Sequence, residues 1–277
     1  MRIAFLLQRS RPDRPGASIS AVTAEIVERL AANGARVDLI VPEDQPLDCA
    51  DLASNPRHDL YVLKAKTALT LGIAGAMTAA GARVVNTFAA SSLTRDKLAS
   101  TTVLAGRGVP VPTSFATGEP DQLRQLLARG PLWLKPPRGS QGAGVQRLAS
   151  PADLSASDVL TVDAHALPVP LFAQAEVPSG GSDLKVYVVG EQMWAIKRPF
   201  PARTLAEKLG EPARVSPPIR DAALACGAAL GLELYGVDFL VAGDQFFVVD
   251  VNAFPGYKGV PEAPEAIAEH LFSGAVA

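Results

Sequence analysis

Three oxygen-bearing side chains stand where a folded chain would rarely place them. Residues 235–259 read Y-G-V-D-F-L-V-A-G-D-Q-F-F-V-V-D-V-N-A-F-P-G-Y-K-G, so that Asp238, Asp250 and Asn252 interrupt two apolar runs, 237–241 and 246–251. An ionised carboxylate in such a run is costly to bury unless it pairs with a cation or coordinates a metal. The runs flank Ala242-Gly243-Asp244-Gln245, which predicts a β-hairpin with a short polar turn. Asp250 and Asn252, two apart on one strand, then share a face, and Asp238 reaches it from the neighbouring strand. This sparse set suits Mg²⁺, with Mn²⁺ compatible with the same ligands, because such ions are held by one or two carboxylates plus substrate phosphates. The plain alternative is a hairpin whose Asp residues lie at water-exposed strand ends.

Cations that could meet phosphate are spread along the chain. Residues 131–145 read P-L-W-L-K-P-P-R-G-S-Q-G-A-G-V. Gly139, Gly142 and Gly144 predict a backbone that can curl closely over a phosphate. Lys135, ending the strand 132–134, acts there as a point charge. The stretch lacks G-K-S/T and is not a Walker A motif. Lys64 and Lys66 end the apolar run 60–63 and could face an anionic substrate, or simply solvent. Arg9, Arg11 and Arg14, in a loop rich in Pro and Gly, are further candidates for anion contacts. In S-D-L-K-V-Y-V-V-G (182–190), alternation sets Asp183, Lys185 and Tyr187 on one face, expected to be wet and charged. The paired strand W-A-I-K-R-P (194–199) carries Arg198, whose planar fork can bridge two phosphate oxygens.

The elements that must position these residues are legible in the pattern. Runs 2–7, 37–41, 60–63 and 84–85 read as strands alternating with helices at 20–33 and 68–80. This predicts a parallel, doubly wound domain over about residues 1–90, with ligands beyond the carboxyl ends of its strands. A helix running from Asp96-Lys97 to about Gly108, a strand 171–177, a helix 221–230 and a terminal helix 264–272 complete the reading. The 277 residues are 48% hydrophobic and 19% charged with a formal charge of −2, the balance of a soluble globular protein and one that does not favour nucleic acid as a partner. Cys49 and Cys226 are the only cysteines, too few for a disulfide framework or a zinc site, which suggests a reducing, cytoplasmic setting. The apolar run 1–7 is shorter than a signal-peptide core, and no 18-residue apolar span appears, so no membrane partner is expected.

These motifs resemble, in order and over nearly the whole chain, the ATP-grasp superfamily. K-P-x-x-G-S-x-G-x-G-V matches its lid, D-x-K-V-x-V-V-G its catalytic strand, and D-x(11)-D-x-N its metal-binding end. The spacing fits the RimK-like glutamate ligase branch, although that branch usually has Glu where Asp250 stands. The N-A-F-P-G-Y-K-G-V wording and L-K-A-K-T, with Lys66 the better match, are similar to the inositol-phosphate kinases. The resemblance implies an N-terminal α/β substrate domain (1–90), a central lid domain (91–177) and a C-terminal catalytic domain (178–277), with ATP between the last two. It implies that Lys97, in Asp96-Lys97-Leu98 before Gly108-Val109-Pro110, binds nucleotide phosphate with Lys135 and the loop of Gly139, Ser140, Gly142 and Gly144. Gln174, Glu176 and Val177 would meet adenine and ribose, Asp183 would belong to the ATP site, and Arg198 and Lys185 would neutralise the transferring phosphoryl group. Where the ligases carry R-x-N, this chain has Arg214 with Ser216, a departure that weakens the match. The expected activity is Mg·ATP-dependent joining of a carboxylate to an amine through an acylphosphate, on a small molecule or peptide; the alternative is phosphorylation of a hydroxyl. A homo-oligomer is compatible with this reading.

Overall fold

The computed structural model describes all residues except 10–18, 45, 55–56, 139–143, 156–169, 201, 203 and 277. The first unit alternates β1 (Arg2–Leu6), α1 (Ala21–Ala32), β2 (Arg36–Ile40), α2 (Cys49–Ser54), β3 (Leu60–Leu63), α3 (Ala68–Ala79) and β4 (Val84–Val85). Its sheet has the order β2-β1-β3-β4 and every pairing is parallel, as the alternation requires. Ser20 and Thr67 cap α1 and α3, each side chain accepting from the amide three residues on.

Two helices not separated in the sequence reading then follow, α4 (Phe88–Arg95) and α5 (Lys97–Gly106). Asp96 divides them: its extended backbone ends the first, and its carboxylate accepts from Ala99 N at 3.1 Å to start the second. The next unit contains β5 (Ser114–Thr117), α6 (Asp121–Leu127), β6 (Leu132–Lys135), β7 (Gln146–Leu148), α7 (Pro151–Ser155) and β8 (Leu171–Ala175). These strands form an antiparallel sheet ordered β5-β8-β6-β7 over a small Leu-rich core.

The third sheet is built from β9 (Ser182–Val189), β10 (Gln192–Pro199), α8 (Leu205–Leu209), β11 (Glu211–Ala213), α9 (Pro217–Leu230), β12 (Leu234–Ala242), β13 (Gln245–Ala253) and α10 (Ala263–Val276). Its order is β11-β10-β9-β12-β13, all antiparallel. Helix α9 begins four residues earlier than its periodicity predicts, because Pro217 and Pro218 occupy first-turn positions where a missing amide costs nothing. One face of the sheet carries Val186, Val188, Val237, Phe239, Val248 and Val251 against α9 and α5. The other carries Tyr187, Val189 and Leu234 against Ile3 and Phe5 of β1 and Ile267 of α10. Each fully buried side chain of this size contributes about 1.5–3 kcal/mol. Asp183 and Lys185 share the second face, but both are buried (7% exposed each). That face is charged at one end, as expected; it is covered there rather than wet.

Close packing of α9 on β12 gives a testable consequence. A Cβ at Gly227 would overlap the Tyr235 hydroxyl, which donates to Ala223 O at 3.0 Å. Helix propensity alone favours alanine by about 1 kcal/mol, but overpacking of this kind costs about 1–3 kcal/mol. Gly227→Ala should therefore lower stability in urea unfolding, and an increase would contradict the packing. Among the described residues no helix is long and apolar enough to cross a membrane.

Candidate active site

The hairpin that carries Asp238, Asp250 and Asn252 forms as its sequence predicts, with one added device. Asp238 pairs with Asp250 and Gly236 with Asn252, but Phe239 pairs with Val248, so Val249 is an extra residue in β13. This β-bulge changes the phase of the strand. Phe246 and Val248 pack towards α9 before it, and Val251 and Ala253 do so after it. Asp250 is thereby turned to the same side as Asp238 and Asn252, where an unbroken strand would have set it in the core. The Asn252 amide lies 3.2 Å from Asp250 Oδ2 and 3.4 Å from Asp238 Oδ2. Among the described residues no group of three His, Cys, Asp or Glu could hold a metal ion; this set is two carboxylates and an amide. With the amide turned over to present Oδ1, its chemistry fits a hard divalent cation completed by water and phosphate.

Beside it lies a buried ionic network knitted across three strands. Lys185 opposes Asp238 in the β9–β12 register, and Asp183 opposes Arg198 in β9–β10. Lys185 Nζ donates to both Asp238 oxygens at 2.8 and 2.9 Å. Arg198 is bidentate to Asp183 at 2.9 and 2.6 Å and also donates to Asp238 at 3.0 Å. Burial pushes the Asp183 carboxyl up, opposed by Arg198. Burial also works against the Arg198 charge, but the Asp183 hydrogen bonds and the field of Asp238 win and hold it above the ordinary guanidinium value.

Cations from the other two sheets converge on Asp250. Burial lowers Lys66 to about 8; Asp250 opposes this, and Lys185, Lys97 and Arg95 add to it. Burial likewise lowers Lys135 to about 8, with Asp250 and Asp238 opposing and Lys97 adding to it. Ammonium groups crowded and desolvated in this way hold their protons more firmly when an anion joins them. The Lys135 ammonium donates to Gln174 Oε1, and Gln174 Nε2 donates to Ser114 Oγ at 3.1 Å. Lys97 N donates to Pro137 O at 2.8 Å, and Arg138 approaches Asp96 at 3.6 Å, which ties the start of α5 to the edge of the Gly-rich loop. Gly144 has φ +72° and would strike Pro136 with any Cβ, at 2.8 Å, so only glycine follows that path. Gly139, Ser140 and Gly142, with Arg11 and Arg14, lie outside the described residues.

A cleft of about 460 Å³ opens between β8 and the hairpin, lined by Thr113, Glu176, Val177, Gly243 and Phe247 among others. Phe247 and Asp250 are three residues apart, or roughly 10 Å along a strand, a length that a nucleoside triphosphate can bridge. Phe247 was not singled out from sequence; its signal was the doubled Phe at the start of β13. Gln174 lies elsewhere: its backbone sits in the ladder between β5 and β6, and its side chain serves Lys135. Glu176 lines the cleft, but its carboxylate is held by Arg147 at 2.6 and 2.8 Å. Arg214 is exposed just after β11. Arg9 binds Asp44 and the Glu43 carbonyl rather than standing open to an anion.

Lys64 does something the sequence did not suggest. Its ammonium donates to the carbonyls of Phe254 and Pro255 at 3.1 and 2.8 Å and lies 4.0 Å above the Phe254 ring. It thus pins, from just after β3, the turn after Asn252, where Phe254 and Tyr257 hold left-handed backbone at φ 36° and 46°. Burial lowers Lys64 from 10.5 to about 7, with Lys66 adding to it. Between those values the unfolded chain carries a proton that the folded chain lacks, so this residue makes stability rise with pH. Urea unfolding at pH 7.5 and 9.5 should show that rise, at most about 1.4 kcal/mol per pH unit, and Lys64→Met should remove it; an equal rise in the variant would contradict the assignment.

Residues 94–271 match the family model described as the RimK-like ATP-grasp domain. The chain is 28% identical over 261 residues to a probable alpha-L-glutamate ligase of Shewanella loihica, covering 87% of this chain and 86% of the relative. The structure resembles a RimK domain ATP-grasp protein from Sphaerobacter thermophilus (TM-score 0.75, 20% identity, 98% and 100% of the two chains). It also resembles the ATP-grasp ligase PsnB in complex with a precursor peptide and AMPPNP (TM-score 0.70, 20% identity, 99% and 97%). The chain belongs to the RimK-like ATP-grasp family. It is an ATP-dependent ligase of that family, and this reading stands over the kinase alternative.

Proposed function

We propose that this ligase joins a carboxylate on a small molecule or peptide to an amine, with the carboxylate first activated as an acylphosphate. The observation that carries the reading is the meeting at Asp250 of cations from separate sheets, Lys66 from the first and Lys135 from the second. Lys135, Lys97 and the loop of Gly139, Ser140, Gly142 and Gly144 hold the phosphate chain. Val177 and Phe247 flank the adenine, and Glu176 meets the ribose in exchange for Arg147. Mg²⁺ held by Asp238, Asp250 and Asn252, or Mn²⁺ in its place, would supply neutralising charge at the β- and γ-phosphates. Arg198 and Lys185, oriented by Asp183 and Asp238, neutralise the phosphoryl group in transfer. Lys66, with Arg214 further out, faces the acceptor, while Lys64 positions the turn after Asn252. Chemistry of this kind proceeds by positioning and electrostatics, without a covalent enzyme nucleophile.

The same reading assigns residues 1–90 to substrate, 91–177 to the lid and 178–277 to catalysis. It places the protein in the cytoplasm, as a monomer or homo-oligomer, with neither nucleic acid nor membrane as partner. Hydroxylamine tests it, since it intercepts acylphosphates as hydroxamates. With Mg·ATP and pooled amino acids and small carboxylates, ADP and a hydroxamate should form together. ADP formed with a stable phosphate ester and no hydroxamate would reject it.

A further inference from the structure

Among the described residues, a single buried side-chain oxygen or nitrogen lacks a hydrogen-bond partner: Oε2 of Glu43. Glu43 lies in the 3-10 turn Pro42–Asp44 that follows β2. That turn stands at the carboxyl edge of the parallel sheet, where open α/β sheets take their ligands. Segments following β1 and β3 enclose it. Arg9, after β1, donates to the Glu43 carbonyl at 2.6 Å and to Asp44 at 2.9 Å, leaving the Glu43 carboxylate aside. Thr67, after β3, donates to Oε1 at 3.3 Å. The residue before Thr67 is Lys66, which feels the field of Asp250.

A buried carboxylate oxygen without a donor is costly, and a bound cationic donor removes the cost. The side chains nearer the phosphates are Lys66, Lys97 and Lys135, which suit anions. The Glu43 carboxylate, linked to the residue after Lys66 through the Thr67 hydrogen bond, has the opposite preference. We propose that Glu43 Oε2 receives the ammonium group of an amino-acid substrate whose carboxylate lies towards Lys66. This rests on the ligase reading, and the amino acid chosen to test it is L-glutamate, the one named in the relatives.

Calorimetric titration of the full chain with L-glutamate and with glutarate compares one diacid with and without its α-ammonium. A charge-assisted hydrogen bond predicts that the wild type binds L-glutamate about tenfold or more tightly than glutarate. Glu43→Gln keeps an acceptor for Thr67 and should bring the two ligands within about threefold by weakening glutamate alone. If Glu43 only completes the start of α3, that variant will keep the tenfold preference, and the proposal fails. A wild type indifferent to the ammonium also overturns it. If ADP release is then still driven by another carboxylate, the ligase reading survives the loss of this subsite; if no carboxylate drives ADP release, that reading fails with it.

Discussion

Asp250→Ala is expected to lower kcat by about 10³-fold or more while leaving the fold intact. The size follows from removing a ligand of the proposed metal, whose charge stabilisation at a phosphoryl group is worth several kcal/mol, and each 1.36 kcal/mol is tenfold in rate. A second effect acts in the same direction. Asp250 opposes the lowering of both Lys66 and Lys135, so without it both ammoniums lose protons more readily near neutral pH and bind phosphate less well. Stability should change little, because among the described residues its side chain accepts one hydrogen bond, from Asn252 at 3.2 Å, and such a bond contributes about 1 kcal/mol. ADP release and urea unfolding check the two halves separately. A variant that turns over at wild-type rate would remove Asp250 from the site.

Arg198→Ala should be costly twice. It leaves Asp183 without its bidentate partner and Asp238 with Lys185 as its one cationic hydrogen-bond donor among the described residues. Breaking a buried pair from one side costs about 3–5 kcal/mol, and in the proposed phosphate-facing role the loss of the guanidinium costs about 10²–10³-fold in kcat. The sign of the pH effect is fixed by Asp183. Burial already raises its folded-state pKa, and removing Arg198 raises it further. The folded variant then binds a proton more strongly than the unfolded chain, so its stability falls as pH rises from about 4. Adding Asp183→Leu removes the stranded carboxylate and should recover stability without recovering turnover. Recovery of both would mean that Arg198 serves packing alone.

The hairpin, the shared face of Asp238, Asp250 and Asn252 and the parallel first sheet were legible because each rests on local pattern: strict spacing, turn residues and alternating helices. The bulge at Val249 was written in the sequence as two adjacent Val residues that break the alternation, yet the register alone shows that it is what aims Asp250. Charge on β9 was visible, but its burial was not, since β10, β12 and the first sheet that surround it are remote in sequence. The same holds for Lys64. A Lys at a strand end reads as an anion contact, and only tertiary structure brings it to carbonyls 190 and 191 residues away. Gln174 and Glu176 were found as a segment, but their side-chain partners, Lys135 and Arg147, depend on how β8 is threaded through the sheet.

The most direct test of the central claim is product analysis by ³¹P NMR and mass spectrometry, using purified protein with Mg·ATP, pooled amino acids, small carboxylates and phosphorylated polyols. The ligase account predicts ADP and inorganic phosphate in equal amounts together with a new amide. ADP with a stable phosphate ester, and neither free phosphate nor amide, would contradict it.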